Sequence, residues 1–145
     1  MKKGKICSLI GVNSVKVIQL VKREIEKAIL KMIQEDDFTT FYFSGCSEFE
    51  KVCYEILTEL KSKYINIERV FCRCAQQKEL PSCLSEFDRV VELKTPKTTF
   101  EKEFFFHACE MLLKSDYMLC YMEETNQEII DFAQITKKPY RNLYD

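Results

Sequence analysis

The sequence predicts an α/β fold: a single Rossmann-like three-layer domain with a mostly parallel sheet. Three observations carry this. Short apolar, β-branched runs alternate along the chain with longer stretches whose apolar residues recur every three to four positions. The connections from strand to helix are short, and two of them hold glycine, Gly11 and Gly45. The chain has 145 residues, 46% hydrophobic and 31% charged, which is one domain with enough apolar side chain for a core covered on two faces.

The elements follow in order. Ile6 to Gly11 is an apolar run that reads as a buried strand, and Asn13 or Ser14 is placed to cap the next helix. Val15, Ile18, Val21, Ile25, Ile29 and Met32 form its apolar stripe, with Lys22, Arg23, Glu26 and Lys27 on other faces. Thr39 to Ser44 is β-branched and aromatic and stops at Gly45, as an interior strand would. Ser47-Glu48-Phe49-Glu50 has the S-x-x-E form of a capping box, and it opens a helix with the stripe Phe49, Val52, Cys53, Ile56, Leu57, Leu60, Tyr64. Ile67 to Cys74 gives a third strand.

From Ala75 to Thr99 the helical period disappears and Pro81 and Pro96 intervene, so residues 75–99 read as a long loop excursion over the sheet edge, with Asp88 to Leu93 as a short strand inside it. Thr98-x-x-Glu101 caps a helix that turns Phe100, Phe104, Ala108, Met111 and Leu112 inward. Phe104, Phe105 and Phe106 cannot all face the core of one helix, so Phe105 or Phe106 is expected at a surface that a second copy of the chain could cover. Tyr117 to Met122 is a further buried strand. Thr125-x-x-Glu128 caps a last helix through Phe132 and Ala133, closed by Lys137-Lys138-Pro139, and Tyr140 to Tyr144 is expected as a short edge strand.

Composition narrows the function. With 22 Lys plus Arg against 23 Asp plus Glu the net charge is −1, so no bulk positive field is available to gather nucleic acid or an anionic membrane. The run Ile6 to Ile10 is too short for a signal-peptide core, and no stretch reaches the roughly 20 apolar residues of a membrane span. A cytoplasmic protein is therefore expected, with its eight Cys as thiols, most of them small core residues. Cys72-Arg73-Cys74 with Cys83 lacks the paired C-x-x-C knuckles or His partners of a zinc site, and neither metal nor cofactor is expected.

In a Rossmann-like order the first strand is central, flanked by the second strand and by Tyr117 to Met122, and ligands bind at the carboxyl ends where the order reverses. That brings together the turns Gly11 to Ser14, Ser44 to Ser47 and Met122 to Asn126. The run Thr40 to Glu50 (Thr-Phe-Tyr-Phe-Ser-Gly-Cys-Ser-Glu-Phe-Glu), the Ile6-to-Gly11 strand before it and Lys114 to Tyr121 after it resemble the SLOG superfamily, in its DUF1273 or YpsA-like branch, and more distantly the LOG-type nucleotide phosphoribohydrolases. The resemblance implies a nucleotide-like ligand cradled by a Gly-Gly-aromatic-Gly turn and an acidic helix start. Carried over by position, Ser44 takes the first glycine, Gly45 the second, Cys46 the aromatic residue, Ser47 the third glycine and Glu50 the acidic position. Gly11-Val12-Asn13 stands where the family has Gly-His-Arg, His107-Ala108 where it has Arg-Asn, and Glu123 to Asn126 where it has a glycine pair.

These substitutions have physical consequences. Glycine lets backbone N–H groups approach a phosphate at a helix N-terminus, which carries roughly half a positive charge. Ser44 and Ser47 add side chains there, and Glu48 and Glu50 add carboxylates that complement the dipole. A second anion would meet repulsion of about 1 kcal/mol or more per close carboxylate, which makes a sugar hydroxyl or neutral base the better guest. The expected ligand-binding residues are Gly11, Val12, Asn13, Ser14, Ser44, Gly45, Cys46, Ser47, Glu48, His107, Tyr121 and Thr125. Glu48 and Glu50 are the candidates for catalysis of an N-glycosidic cleavage, which needs a carboxylate to activate water or steady an oxocarbenium-like centre. For Glu50 the capping role competes, and for His107, the one histidine, packing beside an apolar stripe does. Three functions follow: binding or sensing of a nucleoside- or nucleotide-derived small molecule, N-glycosidic hydrolysis, or protein interaction by a domain that has lost its ligand.

Overall fold

The computed structural model describes residues 4–11, 15–45, 47–74, 87–94, 100–122 and 127–144. Their elements run β1 (Lys5–Gly11), α1 (Val15–Glu35), β2 (Phe38–Phe43), α2 (Glu48–Lys61), β3 (Glu68–Cys74), β4 (Arg89–Leu93), α3 (Phe100–Leu113), β5 (Tyr117–Tyr121), α4 (Gln127–Ile135) and β6 (Tyr140–Asn142). The strands form one sheet in the order β4-β3-β2-β1-β5-β6, and every neighbouring pair is parallel. This is the expected α/β fold, with β1 between β2 and β5.

Alternation along the strands sorts side chains to the two faces. Cys7 and Leu9 of β1, Phe41 and Phe43 of β2, and Leu119 and Tyr121 of β5 join Ile25, Ile29, Phe49, Val52 and Leu57 of α1 and α2 in one core. Ile10, Tyr42, Val70, Cys72, Met118 and Cys120 join Ala108, Met111, Leu112, Ile129 and Ala133 of α3 and α4 in the other. Full burial of such a side chain contributes roughly 1.5–3 kcal/mol. Phe38 and Phe41 reach the same face despite their odd spacing, because the register shifts between Lys5↔Phe38 and Ile6↔Thr40 and Thr39 is the extra residue. Ser8, buried in β1, donates its hydroxyl to Ser115 Oγ at 3.0 Å, so the sheet centre holds no orphaned polar group there.

The short strand expected at Asp88 to Leu93 is present as β4, a parallel edge strand of the sheet, while 75–86 and 95–99 lie outside the described residues. Asp88 fastens that edge, accepting from Arg69 N (2.8 Å) and Nε (3.2 Å) and from Lys61 Nζ. Partial burial alone would raise the Asp88 carboxyl, but the bonds from Arg69 and Lys61 outweigh it and hold it down at about 2. On α3, Phe104 shares the face of Ala108 and Leu112 by spacing but is 38% exposed. A helix returning antiparallel to its strands carries its first turns past their carboxyl ends, where there is less sheet to cover them. Of Phe105 and Phe106, one of which is expected at a surface, both are half-buried, and Phe105 packs on the second core and meets Phe132 of α4 with ring centroids 6.5 Å apart. The proposed caps Asn13, Ser14, Thr98 and Thr125 lie outside the described residues.

Candidate functional site

Three strands deliver their carboxyl ends to one edge: β1 at Gly11, β2 at Phe43 followed by Ser44 and Gly45, and β5 at Tyr121 followed by Met122. The chain leaves β1 toward β2 on one side, and β5 lies on the other, so the strand order reverses here, the position at which α/β sheets take ligands.

The turn after β2 is organised by one side chain. Glu50 is 2% exposed, and its carboxylate accepts five hydrogen bonds: Oε1 from Ser44 N (2.6 Å), Ser44 Oγ (2.8 Å) and Gly45 N (3.1 Å), and Oε2 from Ser47 N (3.3 Å) and Ser47 Oγ (2.8 Å). Ser47 in turn caps α2, its Oγ accepting from Glu50 N at 3.2 Å. This is a complete capping box extended backward to the end of β2. The amide groups that a Gly-rich turn would offer to a phosphate point instead at the protein's own carboxylate.

The two glycines here do different work. A Cβ on Gly11 would come within 2.4 Å of Phe49 Cβ, so Gly11 is glycine because α2 seats Phe49 directly on the end of β1. A Cβ on Gly45 would meet nothing within 4 Å and would project into open space. No described glycine has positive φ, so the left-handed backbone of a phosphate loop is not used among them.

The remaining expected site residues fall as follows. Glu48 is half-buried and pairs with Lys51 at 3.2 Å. Tyr121 is buried in the first core, edge-on to Tyr144 at 5.5 Å between centroids. His107 lies on the opposite face of the sheet, 5% exposed, with Nε2 2.6 Å from the Cys72 carbonyl. A carbonyl only accepts, so Nε2 carries the proton of this bond. Burial lowers the His107 pKa, while that bond and the carboxylates of Glu50 and Glu103 act against the shift. His107 therefore stands behind β3 and not on the turn with Glu50. Val12, Asn13, Ser14, Cys46 and Thr125 lie outside the described residues.

Burial pushes the Cys72 thiol up to about 12, and no group of three His, Cys, Asp or Glu is close enough to hold an ion among the described residues.

Sequence reading missed Asn142. From β6 its Oδ1 accepts from Met122 N (2.9 Å) and its Nδ2 donates to Met122 O (2.9 Å), an amide side chain holding the backbone that leaves β5. No local pattern marks it, because its partner lies 20 residues away. A scan against protein-family models and a search of curated proteins return no match for this chain.

Proposed function

We propose that the domain is a SLOG-like binding or sensing module that takes a nucleoside- or nucleotide-derived small molecule at the carboxyl edge of β1, β2 and β5. The observation that carries this reading is the Glu50 carboxylate seated in the turn after β2. An internal anion engages the donors a phosphate would use, so the guest is recognised through sugar hydroxyls and base edges. Gly45 borders open space beside that turn, and the reversal of strand order puts it at the edge where α/β sheets take ligands. The same bonds make Glu50 a framework group. An N-glycosidic hydrolase would then rest on Glu48, and release of free base lost in Glu48→Gln would mark that activity.

The test is a thermal-shift panel of nucleosides, nucleotides and ADP-ribose-like compounds on wild type and Gly45→Trp. Nucleosides are expected to raise the Tm of wild type by a few degrees at saturation, as ligands that bind only the folded state do, and to leave the variant unmoved. Equal shifts in both proteins, or none in wild type, would overturn the reading.

A further inference from the structure

At the opposite edge, where the strands begin, the chain encloses a cavity of about 380 Å³ between the last turns of α1 and the starts of β1, β2, β5 and β6. Its floor is apolar: Ala28, Met32, Phe38 and Leu119 are buried. Tyr117 stands edge-on to Phe38, ring centroids 5.8 Å apart. The rim is charged, with Lys5, Lys31 and Arg141 against Asp36 and Asp116. Asp116 is engaged, its Oδ2 accepting from Ile6 N at 2.9 Å, and Lys5 Nζ lies 5.5 Å from the Phe38 ring centroid. Lys31 and Arg141 enter none of the ion pairs among the described residues. Burial raises the Tyr117 phenol, and Arg141 and Asp36 act on it with opposite signs, which puts both charges near that ring.

Small-molecule sites are concave, mostly apolar and furnished with a few convergent polar groups, and they run from roughly 300 Å³ upward. This cavity meets each condition, at the small end of the range. We propose that it binds a small organic monoanion with a flat apolar body, such as an aromatic carboxylate, its ring on the Phe38–Leu119 floor and its carboxylate between Lys31 and Arg141. The guanidinium fork matches a carboxylate in two-point geometry. A dianion is disfavoured, since Asp36 and the negative end of the α1 dipole border the same space. The site stands at the other end of the sheet from the nucleoside edge and does not depend on that reading.

The test is an NMR titration of the whole chain with naphthoate and, in parallel, with uncharged naphthamide, on wild type, Lys31→Glu and Arg141→Glu. Both substituted side chains are exposed, and a melting curve for each variant checks that it folds. Naphthoate is expected to shift resonances of Tyr117, Phe38 and Met32 and to leave Ser44 and Gly45 in place. Its affinity should fall roughly tenfold or more in either variant and by a similar factor for the amide, the size of one lost charge-assisted bond. The proposal is overturned by no shifts at millimolar naphthoate, by shifts at Ser44 and Gly45 instead, by equal binding of acid and amide, or by unchanged affinity in both variants.

Discussion

Glu50 shows how one residue can serve two elements. The capping box alone requires only the exchange between Ser47 and Glu50, yet the same carboxylate also closes on Ser44 and Gly45, joining the end of β2 to the start of α2. Replacing it with Ala leaves the Ser47 cap on the backbone N–H of residue 50 but removes the carboxylate half of the capping box and strands three buried or half-buried amides without an acceptor, which should cost about 3 kcal/mol in chemical denaturation. Glu50→Gln keeps the volume but turns an NH2 group toward donors and should recover only part of the loss. A stability change under about 0.5 kcal/mol in Glu50→Ala, the ordinary range for a surface substitution, would show that the bonds do not hold the turn. His107 carries a pH dependence of definite sign. Its folded pKa is lowered from 6.5 by burial, so the unfolded chain takes up the proton first as pH falls. The stabilisation is present above about 6.5 and is lost as pH drops below it. Wild type should therefore lose stability from pH 7 to 5 relative to His107→Gln, in paired denaturant titrations. Parallel curves for the two proteins would contradict the buried neutral ring.

At the scale of elements, helix ends and faces were legible where the signal is local. The S-x-x-E box of α2 stands where the sequence puts it, whereas α4 ends at Ile135, so Lys137 and Lys138 lie past its last turn and not in it. The end of α4 adds a detail that sequence does not display: Lys137 has φ of 60°, and Lys138 N donates to Ala133 O at 2.9 Å, the bond of a left-handed helix terminator. Glycine is the residue that holds this conformation without cost. Lys137→Gly should stabilise the protein by about 1 kcal/mol in equilibrium denaturation, whereas destabilisation would mean that the Lys137 side chain contributes more than its backbone strain takes away. The misreadings have the opposite cause. Phe104 satisfies the helical period, but its exposure depends on how far the sheet extends beneath it. Asn142 and Asp88 act across 20 and 19 residues respectively, beyond any window in which periodicity or capping can be read.

At the scale of the whole molecule, strand order was legible because parallel pairing and right-handed crossovers leave few arrangements, and the Rossmann-like one places β1 between β2 and β5 as observed. The candidate site was legible only as a place. Ser44, Gly45, Ser47 and Glu50 assemble as one turn, but His107 goes to the other face, and nothing in its spacing distinguishes a histidine aimed at a crevice from one aimed at the Cys72 carbonyl. The order β4-β3-β2-β1-β5-β6 also dictates where the fold opens first. Cys7, Leu9 and Ile10 of β1 have no exposed surface and are paired on both sides, whereas Arg89, Val90 and Glu92 of β4 are exposed and β6 has three residues. Opening an edge strand uncovers little apolar area, while opening β1 requires both cores to part. Native-state hydrogen exchange should accordingly find the β1 amides exchanging only through global unfolding and the ladder amides of β4 and β6 exchanging through openings at least about 2 kcal/mol lower. Amides of β4 as slow as those of β1 would mean that the Asp88 bonds to Arg69 and Lys61 make the edge part of the central cooperative unit, and the division of the sheet into a rigid centre and yielding edges would fail.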